Sequence, residues 1–172
     1  MDFYQLIKSR KSIRHYKHEL ISEDLMESIL DAGRLANSAR NLQEWKFVVV
    51  TDWETKAKLI PACRDQQFVG EAGAVIAACA IKKDYTMRCG QPAHIVDLSI
   101  AVDHMQLASH YHGLGTCWLG AFYQDRVKKI LEIPDEIEVV ALLVVGYPAE
   151  DGREKSRKSL KEIVYREKWG KN

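Results

Sequence analysis

Two runs constrain the fold more than any other feature: Ala74 to Ala80 (AVIAACA) and Val139 to Pro148 (VVALLVVGYP). Neither leaves a polar position for solvent, so both read as strands of a sheet interior that helices must cover. The remaining pattern supplies those helices. Ile21-Ser22-Glu23-Asp24 reads as a helix entrance, with Ser22 as cap and Ile21 stapled on Met26, and Leu25, Ile29, Ala32 and Ala36 then repeat at helical spacing. Phe47 to Val50 reads as a short strand, and Trp53 to Ile60 as a polar helix ending at Pro61. Leu98, Ala101, Val102, Met105, Ala108 and His112 share one face of a long helix that Gly113 stops in a left-handed turn. LGTCWLGAF follows as strand or extended turn, then a short helix near Asp125 to Leu131, and from Ala149 a polar, basic segment lies on the surface. Helices and strands alternate without a regular βαβ series, so the expectation is an α+β domain over residues 1–172, a mixed sheet covered by helices.

At 172 residues the chain can remove roughly two thirds of its unfolded surface from water, enough for one real core. The net charge of +1 gives no bulk attraction to nucleic acid or to acidic membranes, so any anion must be held locally. No run approaches the ~18 apolar residues of a spanning helix, and the N-terminus lacks a basic-flanked apolar stretch; a soluble, cytoplasmic protein is expected. Cys63, Cys79, Cys89 and Cys117 form no CxxC pair and lie in or near apolar segments, which suggests buried thiols and no zinc or disulfide framework. His110 and His112 are two apart on a predicted helix and turn to different faces, so no shared metal is expected. No GxSxG motif supports hydrolysis.

Three segments carry chemistry. In SRKSIRHY, an extended chain puts Arg10, Ser12 and Arg14 on one side, two guanidinium forks around a hydroxyl, a face suited to a phosphate monoester; the plainer alternative is a solvated basic stretch. GREKSRKSL offers Lys155 and Arg157, again two apart, and if the chain ends meet, Arg10, Arg14 and Arg157 can surround one dianion. In LANSARNLQEWK, Asn37 and Ser38 can cap the preceding helix and Trp45 can be core, but that leaves Asn41 and Gln43 free to read a heteroaromatic edge or a polyol. In GLGTCWLGAF, glycines 113, 115 and 120 allow backbone to approach a flat ligand, although the pattern is not GxGxxG and follows a helix, which disfavours a dinucleotide site.

Taken in order, SRKSIRHY, ANSARNLQEWKFVVV, GLGTCWLGAF, VGYP and SRKSLKEIV resemble the FMN-dependent nitroreductase family over about residues 2 to 168. The resemblance implies a mainly antiparallel sheet flanked by helices, an intertwined homodimer, and FMN that takes a hydride from NADH or NADPH and reduces nitroaromatics, quinones or similar flat acceptors, with no catalytic side chain and no metal. It implies that Arg10, Lys11, Ser12 and Arg14 hold the phosphate and ribityl chain, with Arg157 and Lys155 at the same phosphate. It also implies that Ser38, Arg40 and Asn41 reach the flavin from the other subunit, that Leu119, Gly120 and Ala121 lie along the ring with an amide directed at N5, and that Gln66 touches the ring. Two departures stand out: Asn37 and Glu44 occupy positions where the family shows proline, and residues 82–94 (KKDYTMRCGQPAH) leave room only for a small lid. Alternatives are a flavin-binding or redox-sensing protein with little turnover, or a flavin-cleaving or dehalogenating relative.

Overall fold

The computed structural model describes residues 1–171. In chain order the elements are α1 (Phe3–Ser9), α2 (Glu23–Arg34), β1 (Trp45–Val50), α3 (Trp53–Ala62), α4 (Phe68–Glu71), β2 (Ala74–Ala80), α5 (Ala93–Tyr111), β3 (Gly115–Leu119), α6 (Gln124–Ile130), β4 (Glu138–Gly146) and α7 (Leu160–Ile163). The strands stand in the order β1-β2-β4-β3, each pair antiparallel, so the two apolar runs are the interior strands. The parallel component is a bridge from Ser12 to Thr116 that lays the N-terminal segment beside β3. This is the α+β sheet with flanking helices expected from the sequence.

Strand alternation divides the interior in two. Val75, Ala77, Leu142, Val144, Cys117 and Leu119 pack against Leu59, Ala62, Phe68 and Val127 of α3, α4 and α6. Ile76, Ala78, Leu143 and Val145 pack against Ile29 of α2 and Leu98, Val102 and Met105 of α5. Each Val, Leu, Ile, Phe or Met side chain among them contributes about 1.5 to 3 kcal/mol by leaving water, and each alanine less. Ile21 and Met26 join the second layer as the staple predicts, but Ser22 makes no side-chain cap.

Four expectations need correction. α3 runs through Pro61 to Ala62, because in the last turn proline forfeits one donor while Cys63 still donates to the Leu59 and Ile60 carbonyls. α2 ends at Arg34 with Leu35 as its cap, so Asn37 and Ser38 lie beyond it. β4 stops at Gly146, two residues before Pro148. Cys63, Cys79 and Cys117 are buried thiols, whereas Cys89 is exposed in the 82–92 loop. No helix of the described residues is long and apolar enough to cross a membrane, and no three of their His, Cys, Asp or Glu side chains cluster as metal ligands would.

Candidate functional site

The chain ends do meet, and glycines make it possible. After α1, Arg10 turns extended (φ −54°, ψ 126°). The Ile13 amide donates to the Thr116 carbonyl (2.9 Å), Lys17 to Tyr147 (2.9 Å) and Ala149 to His15 (2.9 Å). Residues 11–17 therefore run from the outer edge of β3 at its start to the segment that follows β4. A Cβ on Gly115 would sit 2.6 Å from the Ile13 side chain, and Gly152, at φ +68°, faces Ile13 and Lys11 at similar range. Gly115 thus admits the protein's own N-terminal segment and not a ligand; Gly113 and Gly120 both face open space, but Gly113 (φ +80°) is taken up with stopping α5, which leaves Gly120 as the open glycine at the end of β3.

This convergence concentrates positive charge. The Lys155 ammonium donates to the Ile7 carbonyl (3.1 Å) and Lys11 reaches the Gly152 carbonyl (3.5 Å). Burial, then the charges of Arg10, Arg157 and Lys11, holds Lys155 below the usual lysine range. His110, whose Nε2 lies 2.7 Å from Ser9 Oγ, is pushed down by burial and by Arg10 and Lys155. Arg14 is exposed, its amide donating to Glu150 (2.7 Å), and its charge together with that of Arg10 opposes the burial that raises the Cys117 thiol. Among the described residues, none of Arg10, Lys11, Arg14, Lys155 and Arg157 pairs with a carboxylate. Arg10, Lys155 and Arg157 stand on the rim of a cleft of about 860 Å³ between α1, α2 and α5. Arg10, Lys11 and His110 also line an adjoining pocket of about 260 Å³ with Thr116, whose buried hydroxyl has no partner among the described residues.

β3 continues the site. It is an edge strand, and because Thr116 turns its carbonyl outward to Ile13, alternation turns the backbone of Trp118 outward too, with Gly120 next in line. Thr116 to Gly120 is four residues, roughly 13 Å of strand. Leu119 departs from the expectation, since its side chain is core and its backbone faces Leu142. Gly120 and Ala121 are exposed. Gln66 meets this segment: its side-chain amide donates to the Ala121 carbonyl (3.3 Å) and to Cys63 (2.8 Å).

The loop after α2 is elsewhere. β1 is the opposite edge, and Trp45 pairs with Ala80, at the far end of β2 from the Ala74 that meets Val145 and, beyond it, Thr116. Strand spacings put the start of β1, which this loop enters, roughly 19 Å across and 20 Å along the sheet from Ser12. Ser38, Arg40 and Asn41 do not join the cation cluster of their own chain. Gln43, unexplained by a helix end, closes the loop: its amide donates to Ser38 Oγ (3.1 Å) and its side chain to the Asn41 carbonyl (3.2 Å). The 82–92 segment is a small turn closed by a Thr86–Pro92 bridge, as its length predicts.

Sequence reasoning missed Thr116 and the Ser9–His110 pair. The signal for Thr116 was a lone hydroxyl inside the apolar GTCWL; nothing local links Ser9 to a residue 101 positions away.

The nitroreductase family profile matches residues 7–83 and 64–147. A protein of Archaeoglobus fulgidus is 33% identical over 171 residues, covering 96% of this chain and 97% of its own length. An NADH dehydrogenase of Thermus thermophilus is 31% identical over 186 residues, covering 90% of this chain and 91% of its own. The crystal structure of a nitroreductase family protein from Clostridium difficile matches with a TM-score of 0.87 at 30% identity, over 98% of this chain and 99% of that one.

Proposed function

Because the chain belongs to the nitroreductase family, we propose that it is a homodimeric FMN-dependent oxidoreductase that takes a hydride from NADH or NADPH and reduces nitroaromatics, quinones or similar flat acceptors. The observation that carries the reading is the crowding of Arg10, Lys11 and Arg157 around Lys155 with no carboxylate paired to them among the described residues. Such a cluster asks for a dianion, and the terminal phosphate of FMN brings three strong acceptor oxygens. A phosphate there would place the rest of the molecule along the outer edge of β3, where Trp118 and Gly120 turn backbone outward. The donor set therefore fits FMN.

When bound, FMN supplies the hydride chemistry. The chain's residues bind and orient: Arg10, Arg14, Lys155 and Arg157 anchor one end, Ser12 offers a hydroxyl beside them, and the backbone at Gly120 and Ala121 meets the other, steadied by Gln66. No side-chain acid or base is assigned. Ser38, Arg40 and Asn41 cannot reach this place within one chain, which supports their delivery by a second copy. Ile95 and Val96 on α5, together with Leu160, Ile163 and Trp169 near the C-terminus, are exposed apolar side chains of the kind a second copy would cover.

Anaerobic stopped-flow mixing with NADH and with NADPH tests the reading. The FMN absorbance should bleach within seconds with at least one donor and return on adding a quinone. Bleaching over many minutes with both would instead favour a flavin-binding protein with little turnover.

A further inference from the structure

The 38–44 loop is strained and yet held. Arg40, Asn41 and Gln43 all have positive φ (55°, 57° and 52°), a conformation that costs a non-glycine residue roughly 1 to 2 kcal/mol. Residues 35–44 contain no glycine to relieve that strain and no proline to fix the backbone. A segment of this kind persists only where its surroundings over-determine it, and such segments gather at ligand clamps and active sites.

The surroundings are identifiable. Asp97, in the first turns of α5, is 7% exposed and has Leu98 and Ala101 as buried neighbours, a position where an apolar residue would be expected. A carboxylate there needs a bonded partner. Its Oδ1 accepts the Ala39 amide at 3.0 Å. Glu44 closes the other end of the loop, pairing with Lys82 (3.0 Å) while its carbonyl takes the Ile81 amide (3.2 Å). The Arg40 guanidinium lies 5.6 Å over the Tyr85 ring. Between loop and helix, Leu42, Trp45, Tyr85, His94 and Asp97 enclose only about 10 Å³, room for at most one water. The loop is packed down on α5, and its exposed side, with Arg40 and Asn41, faces away.

We propose that Asp97 is the positioning residue of this loop: by holding the Ala39 amide it fixes the left-handed turn that presents Ser38, Arg40 and Asn41 to the flavin of the other protomer. The proposal rests on the composite site proposed above. The Glu44–Lys82 pair is the second, more exposed tie, and Asp97 is the buried one on which the turn's geometry depends.

The test is FMN titration into flavin-stripped protein for Asp97→Ala, Asp97→Asn, Asn41→Ala and the double variant Asp97→Ala/Asn41→Ala. Asp97→Ala should weaken FMN tenfold or more. Asp97→Asn, whose amide oxygen can still accept from Ala39, should stay within about threefold of wild type. The double variant should be little weaker than the worse single one, because both act through the same loop. If Asp97→Ala does not fold, Asp97→Leu fills the same space without needing a partner and should show the same tenfold loss. FMN binding by Asp97→Ala or Asp97→Leu within threefold of wild type, beside a tenfold loss in Asn41→Ala, would overturn the role of Asp97 and leave the composite site standing. Equal losses in the Asn and Ala variants, or fully additive losses in the double variant, would also overturn it. Wild-type affinity in Asn41→Ala would remove the loop from the flavin site, and the role of Asp97 with it.

Discussion

Arg10 sits where α1 gives way to extended chain, on the rim of the cleft and beside Lys155. Its contribution to a phosphate should be about 1.5 to 3 kcal/mol, roughly a tenfold loss or more on removal. Arg10→Ala is therefore expected to weaken FMN by that factor and to leave riboflavin, which has no phosphate, almost unchanged; calorimetric titration with both ligands reads the difference. A second residue speaks for stability instead of binding. Lys56 is fully buried, its ammonium 3.2 Å from the Trp53 ring centre and donating to the Ala72 and Gly73 carbonyls. Burial pulls it down to about 8. A folded value below the unfolded one means that the unfolded chain holds the proton longer, so this residue's contribution to stability rises with pH from about 8 toward the ordinary lysine range. Urea unfolding at pH 7.5 and 9.5 should show wild type gaining on Lys56→Met at the higher pH; a constant difference would count against the burial argument.

At the scale of elements, the site depends on one close approach, residues 11–14 over the start of β3. Gly115→Ala would push a methyl to 2.6 Å from the Ile13 side chain, an overpacking that costs about 1 to 3 kcal/mol. Lowered thermal stability together with loss of FMN is expected, and normal FMN binding in a stable Gly115→Ala protein would show that the approach is not needed. This contact also marks the limit of what the sequence discloses. β2 and β4 were legible because continuous apolarity leaves a strand few alternatives, and α2 and α5 because their apolar faces repeat at helical spacing. α1, α4 and α7 were not, being one or two turns long, too short for an apolar pattern to repeat, and α1 and α7 bury no residue. The basic residues of SRKSIRHY and SRKSL could be read as a phosphate clamp only on the condition that the ends meet, and that condition is set by long-range pairing of Ile13 with Thr116 and of Lys155 with Ile7. In GLGTCWLGAF the glycines were visible, but only the fold distributes their roles. In the 38–44 loop, polar composition was evident while the positive φ values and the grip of Asp97 were not, since no glycine announces the turn.

In the whole molecule as proposed, cation cluster and loop, at opposite corners of one sheet, complete a single FMN site only across two chains. A C2 dimer contains that site twice. Arg10→Ala spoils the clamp and Asn41→Ala spoils the loop, each in both sites of its own homodimer. Co-refolding the two variants in equal amounts makes about half of the dimers mixed, and each mixed dimer carries one site with both residues intact. Flavin content per chain after gel filtration reads the result. Little FMN is expected in either homodimer and about one quarter of the wild-type content in the mixture, eluting as a dimer. No recovery in the mixture, or an FMN-loaded wild-type protein that sediments as a monomer, would contradict the shared site.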